Sequence, residues 1–127
     1  MVEDGKEYEK NILATIDIPE NRSTVRGVFR IGGWAIDKSE LFDSEIDGIF
    51  IYLNDTPLNG GKFMSRGTCG VRREDVTKVY GDRFVNSGFD ILVDASSLKD
   101  GLYTFYVYFH SRYFGVEYQK LELFVKN

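Results

Sequence analysis

The chain has 127 residues, which suits one domain with a single hydrophobic core, and its 15% aromatic content favours pleated, half-buried surfaces. Its net charge of −4, from 16 basic and 20 acidic residues spread along the sequence, argues against a nucleic-acid partner, which requires a basic stripe. The sequence contains no apolar run of about 20 residues, so it predicts no membrane-spanning segment.

The first residues differ in pattern from the rest of the chain. Residues 1–10 are charged and aperiodic, and we interpret them as a tail or linker. Residues 11–127 are interpreted as one domain. Because Cys69 is the only cysteine, the domain cannot contain an internal disulfide and must be stabilised by packing.

Most of the domain shows the alternation of apolar and polar residues that is typical of strands. Gly27 lies in the middle of the predicted strand 24–31 and indicates close approach by a neighbouring segment. One segment, 73–81, is typical instead of a short helix, with acidic residues near its start and Gly81 at its end. The predicted strands cover residues 11–18, 24–31, 46–54, 62–66, 89–95, 102–110 and 116–125. About seven short strands with one short helix near residues 74–80 predict an all-β sandwich.

Several short motifs occur in an order that resembles a known family. They are Gly33-Trp34-Ala35-Ile36-Asp37, Ile46-Asp47-Gly48-Ile49, Asp75-Val76 with Tyr80-Gly81, Asn86-Ser87-Gly88-Phe89, and the strand ending at His110-Ser111. This order is similar to that of an immunoglobulin-like β-sandwich module of bacterial cell-surface and secreted proteins, over about residues 24–126. The chain departs from the family where Arg73-Glu74-Asp75 stands, because a proline more often precedes that aspartate.

The resemblance implies a function as well as a fold. It implies a non-catalytic structural or interaction module that spaces or presents neighbouring domains of the same parent protein. It also implies an extracytoplasmic location, at the cell surface or secreted.

Four residues of these motifs are predicted to be structural. Trp34, the only tryptophan, follows two glycines, and we interpret it as a core residue that the strands are arranged to cover. Asp37 suits a turn, and Asp75 lies near the positive end of the predicted helix. Gly88 belongs to a predicted tight turn that begins a strand.

Cys69 and His110 are the only thiol nucleophile and imidazole base available for catalysis. A catalytic pair must meet in space, with a third group orienting the imidazole, and nothing in their spacing indicates this. One cysteine and one histidine also fall short of the usual ligand set for a transition metal. We therefore predict neither an enzyme nor a bound cofactor.

The acidic segment from Asp43 to Gly48 echoes the first half of a calcium-binding loop, in which alternate carboxylates surround the ion. The twelfth position of that loop is Asn54 rather than a bidentate glutamate. We therefore favour a solvated loop and expect no metal site, although calcium binding by residues 37–47 stays open.

An exposed tyrosine face is the candidate binding surface. If alternate residues of the strand 102–110 enter the core, the residues between them point outward. In a sandwich of this type the third strand and the last two share a sheet, which adds tyrosines from those strands. The predicted set is Tyr52, Tyr106, Tyr108, His110 and Tyr118. Such a patch suits contact with a neighbouring domain or, as the alternative, stacking on the sugar rings of a cell-wall or other polysaccharide, whereas tyrosine also favours strands for purely structural reasons.

Overall fold

The computed structural model describes residues 12–38, 46–55, 59–111 and 115–127, so the segment predicted to be a tail lies outside the described residues. The described residues form two sheets with one short α-helix, α1 (Glu74–Tyr80), and a 3₁₀ turn at Asp82–Phe84. The strands are β1 (Ile12–Ile18), β2 (Thr24–Val25), β3 (Val28–Asp37), β4 (Ile46–Leu53), β5 (Lys62–Arg66), β6 (Thr68–Val71), β7 (Gly88–Asp94), β8 (Gly101–Ser111) and β9 (Gly115–Val125). Within these ranges no helix is long and apolar enough to cross a membrane.

The sheets have the strand orders β1-β3-β7-β6 and β2-β9-β8-β4-β5. All neighbouring strands are antiparallel except β2 and β9, which are parallel. This is the immunoglobulin arrangement, in which β1, β3, β7 and β6 correspond to strands A, B, E and D, and β9, β8 and β4 to strands G, F and C. Strand A is divided between the two sheets as β1 and β2, and β5 is added beside strand C. The predicted immunoglobulin-like β-sandwich with one short helix is therefore confirmed.

The main core lies between the two sheets and is built from alternate residues of each strand. Phe29 meets Phe105 edge to face with ring centroids 5.7 Å apart, and Phe89 meets Phe109 in the same way at 5.4 Å. The largest fully buried side chains of this core are Ile31, Ile49, Ile51, Ile91, Phe105, Phe109 and Leu123. Because the odd-numbered residues of β8 enter this core, its even-numbered residues lie on the outer face of the five-stranded sheet.

Gly27 and Gly33 show two different reasons for a glycine. The predicted strand 24–31 is interrupted at Gly27, whose φ of +56° is the left-handed conformation that glycine favours. A neighbouring segment does approach the backbone of Gly27, whose carbonyl oxygen accepts a hydrogen bond of 2.8 Å from the N–H of Ala95, but a Cβ there would meet nothing within 4 Å. The approach that excludes a Cβ occurs at Gly33, where that atom would overlap with the carbonyl oxygen of Thr15 on β1.

Trp34 lies outside the main core, and its interpretation as the residue covered by all the strands is wrong. Its neighbour Ala35 faces the interior, so the indole faces outward from the four-stranded sheet and is half-buried. There its ring lies 5.6 Å from that of Tyr80, on α1. Trp34 packs beside a second, smaller cluster whose buried members are Ile36, Val76 and Phe84. The helix and the 3₁₀ turn thus cover one part of this outer face.

Asp37 is the last residue of β3 rather than part of a turn, and the chain turns at Lys38. Its side chain is fully buried, and the hydroxyl of Ser111 donates a hydrogen bond of 2.5 Å to its Oδ2. Since β3 and β8 belong to different sheets, this hydrogen bond joins the two layers at one end of the sandwich.

Arg73 connects the start of α1 to the strands below it. Its guanidinium donates two hydrogen bonds to the carboxylate of Asp75, of 2.9 and 2.7 Å, and a third of 2.7 Å to Asp17 on β1. At Gly88 a Cβ would lie 2.8 Å from the carbonyl oxygen of Val71 and 2.9 Å from Cγ of Arg73. Gly88 therefore leaves room for the Arg73 side chain.

Candidate functional site

Six aromatic rings lie together on the outer face of the five-stranded sheet, and we name this set the aromatic platform. The strand register aligns Tyr118, Tyr108 and Phe50 in one row across β9, β8 and β4. It aligns the other three in the adjacent row across β8, β4 and β5. The platform consists of Phe50, Tyr52, Phe63, Tyr106, Tyr108 and Tyr118.

Direct ring contacts connect five members of the platform. Tyr108 and Tyr118 are stacked, with centroids 5.3 Å apart and planes inclined by 17°. Tyr118 also contacts Tyr106 at 5.5 Å, and Tyr108 contacts Tyr52 at 5.7 Å. Tyr52 in turn meets Phe63 edge to face at 5.6 Å. Contacts of this kind hold each ring in place before any partner arrives, because aromatic pairs are worth about 0.5 to 1.5 kcal/mol beyond their buried area.

Phe50 occupies its place because of Gly48. A Cβ on Gly48 would lie 2.7 Å from Cε2 of Phe50, so the ring extends over the glycine and against the sheet. The two residues are neighbours on the same face of β4, since side chains of a strand repeat every second position. The Phe50 ring therefore covers the backbone of Gly48, which is buried.

The platform is anchored but remains accessible. Tyr118 is 41% exposed and Phe63 is 53% exposed, and the other four rings are half-buried. Half-exposed rings on a sheet can make ring contacts with each other and still offer their outer surface to a partner.

Two cations border the platform from opposite sides. The guanidinium of Arg66, on β5, lies 5.7 Å from the centroid of the Phe50 ring. The ammonium of Lys120, on β9, lies 5.7 Å from the centroid of the Tyr106 ring. Both distances are within the range of a cation–π contact. The cations therefore stand at the two edges of the platform, on the outermost strands that carry its rings.

His110 lies in the next row of the same face, opposite Gly48. Its Nδ1 is 2.5 Å from Oδ1 of Asp47. The structure thus brings all five residues predicted for binding onto one sheet face, and what that face binds stays a prediction. The two phenylalanines of the platform were missed in the sequence, although the alternation of β4 places Phe50 beside Tyr52.

Cys69 and His110 are not arranged as a catalytic pair. Cys69 is on β6 of the four-stranded sheet, where its side chain packs against the main core. Burial raises the pKa of its thiol, and the charge of Asp47 raises that pKa further while Arg66 opposes the change. A reactive cysteine requires a lowered pKa, and His110 lies on the outer face of the other sheet.

A metal site finds no support in the described part of the chain. Among these residues there is no group of three or more His, Cys, Asp and Glu side chains that could hold an ion. Residues 43–45 of the acidic segment that echoes a calcium loop lie outside the described residues.

Comparisons with known proteins concern the fold. Neither a family model nor a curated protein matches the chain. Among solved structures, the chain is similar to part of an endo-β-1,4-mannanase from Thermotoga petrophila, with a TM-score of 0.58, 11% identity, and coverage of 98% of this chain and 21% of that one. It is also similar to LPMO10B from Micromonospora aurantiaca, with a TM-score of 0.52, 12% identity, and coverage of 81% of this chain and 53% of that one. The chain thus spans about a fifth and about half of these proteins, and at such identities the likeness shows the fold alone.

Proposed function

We propose that the chain is a non-catalytic interaction module of a larger cell-envelope or secreted protein, and that the aromatic platform is its contact surface. The observation that carries this proposal is the unbroken series of ring contacts from Phe63 to Tyr106 on an accessible sheet face. Contiguous exposed apolar surface of this kind is typical of interaction sites.

Two further observations support a module without chemistry of its own. The half-buried side chain of Cys69 packs against the core, whereas His110 lies on the outer face of the other sheet, and this arrangement does not provide the contact that thiol catalysis requires. The similar part of the mannanase is 21% of that chain, which is the proportion expected of one domain within a larger protein. The extracytoplasmic location is part of the same proposal and follows the sequence resemblance.

An adjoining domain of the parent protein is the first candidate partner. Tyrosine and phenylalanine supply a large contact area with few rotatable bonds, and aromatic residues are enriched in interfaces. In this function the sandwich holds its neighbour at a defined distance and orientation, with the platform as the contact.

The test of this candidate compares two variants of the parent protein by differential scanning calorimetry. Tyr118→Ala removes an exposed platform ring, and the control Val79→Ala removes an exposed side chain from α1, which packs on the other sheet. We expect the module and its neighbour to unfold in one transition in the wild type and the Val79→Ala control, and in two in the Tyr118→Ala variant. Identical unfolding of both variants would contradict a domain contact at the platform.

A carbohydrate is the second candidate partner, and the surroundings of the platform favour it. Sugar rings stack their C–H faces on exposed aromatic rings while their hydroxyl groups require polar partners at the border. His110 and Asp47 provide such groups next to the platform. The likeness to part of a protein that by its name acts on β-1,4-mannan supports testing this class of ligand.

The test of the second candidate is isothermal titration of the isolated domain with soluble cell-wall polysaccharides and with β-1,4-mannan. We expect saturable binding by the wild type and the Val79→Ala control, and a loss of at least about tenfold in affinity for Tyr118→Ala. Absence of binding across the series would remove this candidate and leave the adjoining domain as the partner.

A further inference from the structure

Two positive charges, those of Arg66 and Lys120, lie beside the aromatic platform. Within the described part of the chain, no carboxylate forms an ion pair with Arg66 or Lys120, and each of these cations lies 5.7 Å from the centroid of a platform ring. A guanidinium or ammonium over a ring keeps most of its capacity to bind an anion, because the ring neutralises none of its charge.

Other polar groups beside this face have partners. Arg22 binds Glu122 at 2.9 Å, and His110 binds Asp47 at 2.5 Å. The net charge of the whole chain is −4, so two unpaired cations beside one surface differ in sign from the charge of the protein as a whole. The platform is therefore apolar in its centre and positively charged at two edges.

From this charge distribution we infer that the platform binds an acidic polysaccharide, whose sugar rings stack on the tyrosines and whose carboxylates pair with Arg66 and Lys120. The inference rests on the carbohydrate-binding function proposed above and specifies its ligand. A neutral polysaccharide would use the rings and leave both cations without partners.

The spacing of the cations indicates a polymer. Arg66 is on β5 and Lys120 on β9, with β4 and β8 between them. Neighbouring strands lie about 4.8 Å apart, so the two edges are separated by about 14 Å. A single sugar acid is too short to reach both edges, whereas a chain of several sugar units lying across the strands reaches both.

The test uses two pairs of oligosaccharides in which the linkage and ring configuration are the same and only the carboxylates differ. The pairs are β-1,4-linked mannuronate against mannose hexamers, and β-1,4-linked glucuronate against glucose hexamers. Affinity is measured by isothermal titration at low and at high ionic strength. We expect at least one acidic hexamer to bind roughly five- to tenfold more tightly than its neutral counterpart at low salt, because exposed ion pairs each contribute modestly and are screened by salt.

Charge variants identify the groups that are responsible. The double variant with Arg66→Gln and Lys120→Gln should bind the acidic and the neutral hexamer of a pair with equal affinity. The control Lys99→Gln removes a cation from the turn before β8, away from the platform, and should keep the preference for the acidic hexamer.

The outcomes separate this inference from the function on which it rests. Binding of neutral and acidic hexamers with equal affinity would overturn the charge-based inference and leave the carbohydrate function standing. A preference that survives in the double variant would also overturn it. Absence of binding to all four hexamers would overturn the inference, and with no binding in the wider polysaccharide series it would remove the carbohydrate candidate as well.

Discussion

At the scale of single residues, the hydrogen bond between Ser111 and Asp37 connects the two sheets inside the sandwich. Both side chains are buried, and a buried carboxylate is costly unless hydrogen bonds replace its lost water. The bond therefore favours one alignment of β3 against β8, since any shift between the sheets would separate the donor from its acceptor.

Ser111→Ala should destabilise the domain by about 1 to 3 kcal/mol, because it removes a donor from a buried carboxylate. Ser65→Ala is a matched control, since its hydroxyl donates to the carbonyl oxygen of Leu92 at an exposed site, and we expect a loss of about 1 kcal/mol or less. Urea denaturation of both variants measures the two losses. Equal losses would show that the buried hydrogen bond contributes no more than the exposed one.

Asp75 should make the stability of the domain depend on pH. Its hydrogen bonds to Arg73 hold the pKa of its carboxyl below the ordinary value of 3.8. A lowered pKa in the folded state means that the contribution of Asp75 to stability is complete above pH 3.8 and is lost as the pH falls through the folded-state pKa. The loss is modest because the carboxylate is largely exposed.

Asp75→Asn should therefore reduce the loss of stability between about pH 5 and about pH 3. Denaturation midpoints measured across this range give the comparison with the wild type. In an Arg73→Gln background the same substitution should leave the acid dependence almost unchanged. If it had the same effect in both backgrounds, the guanidinium would not be the cause.

At the scale of elements, α1 is stabilised by the sheet on which it packs. A helix of seven residues is too short to be stable by itself, and no side chain caps its first turn. Its one buried residue, Val76, joins Ile36 and Phe84 in the smaller cluster. The helix should therefore form only when that cluster is packed.

Substitutions in this cluster should have effects that follow burial rather than side-chain size. Phe84 is 2% exposed, and Phe84→Ala should cost about 3 to 5 kcal/mol. Trp34→Ala should cost about 2 kcal/mol, because the larger indole is only half-buried. Chemical denaturation, followed by far-UV circular dichroism because the variant lacks the only tryptophan, measures both. A larger loss of stability for Trp34→Ala than for Phe84→Ala would contradict the expectation that the loss follows burial.

At the scale of the whole molecule, the alternation of apolar and polar residues predicted the sandwich well, because buried and outward-facing side chains alternate along each strand. Alternation alone did not show which face of β3 is covered, since α1 buries Ile36 on the outer side while Ile31 is buried on the inner side. The break between β2 and β3 at Gly27 was missed, because the apolar pattern continues through residues 24–31 while the backbone turns from one sheet to the other.

The candidate site was predicted in part for a similar reason. The outward direction of Tyr106 follows from the pattern of β8 alone, and the topology of the resembling family adds Tyr118. Phe63 could not be predicted from the sequence, because a bulge in the pairing of β4 with β5 determines which side chains of β5 lie on the outer face of the sheet.

The parallel pairing of β2 with β9 also has a mechanical consequence. Its backbone hydrogen bonds include those from Phe124 to Ser23 and from Lys126 to Val25, each 2.9 Å long. Tension that pulls the chain before β2 away from the chain after β9 acts along the strands in opposite directions, so it shears these bonds together instead of opening them one after another. This two-residue strand thereby makes the sandwich resist extension, which suits the spacing role proposed above.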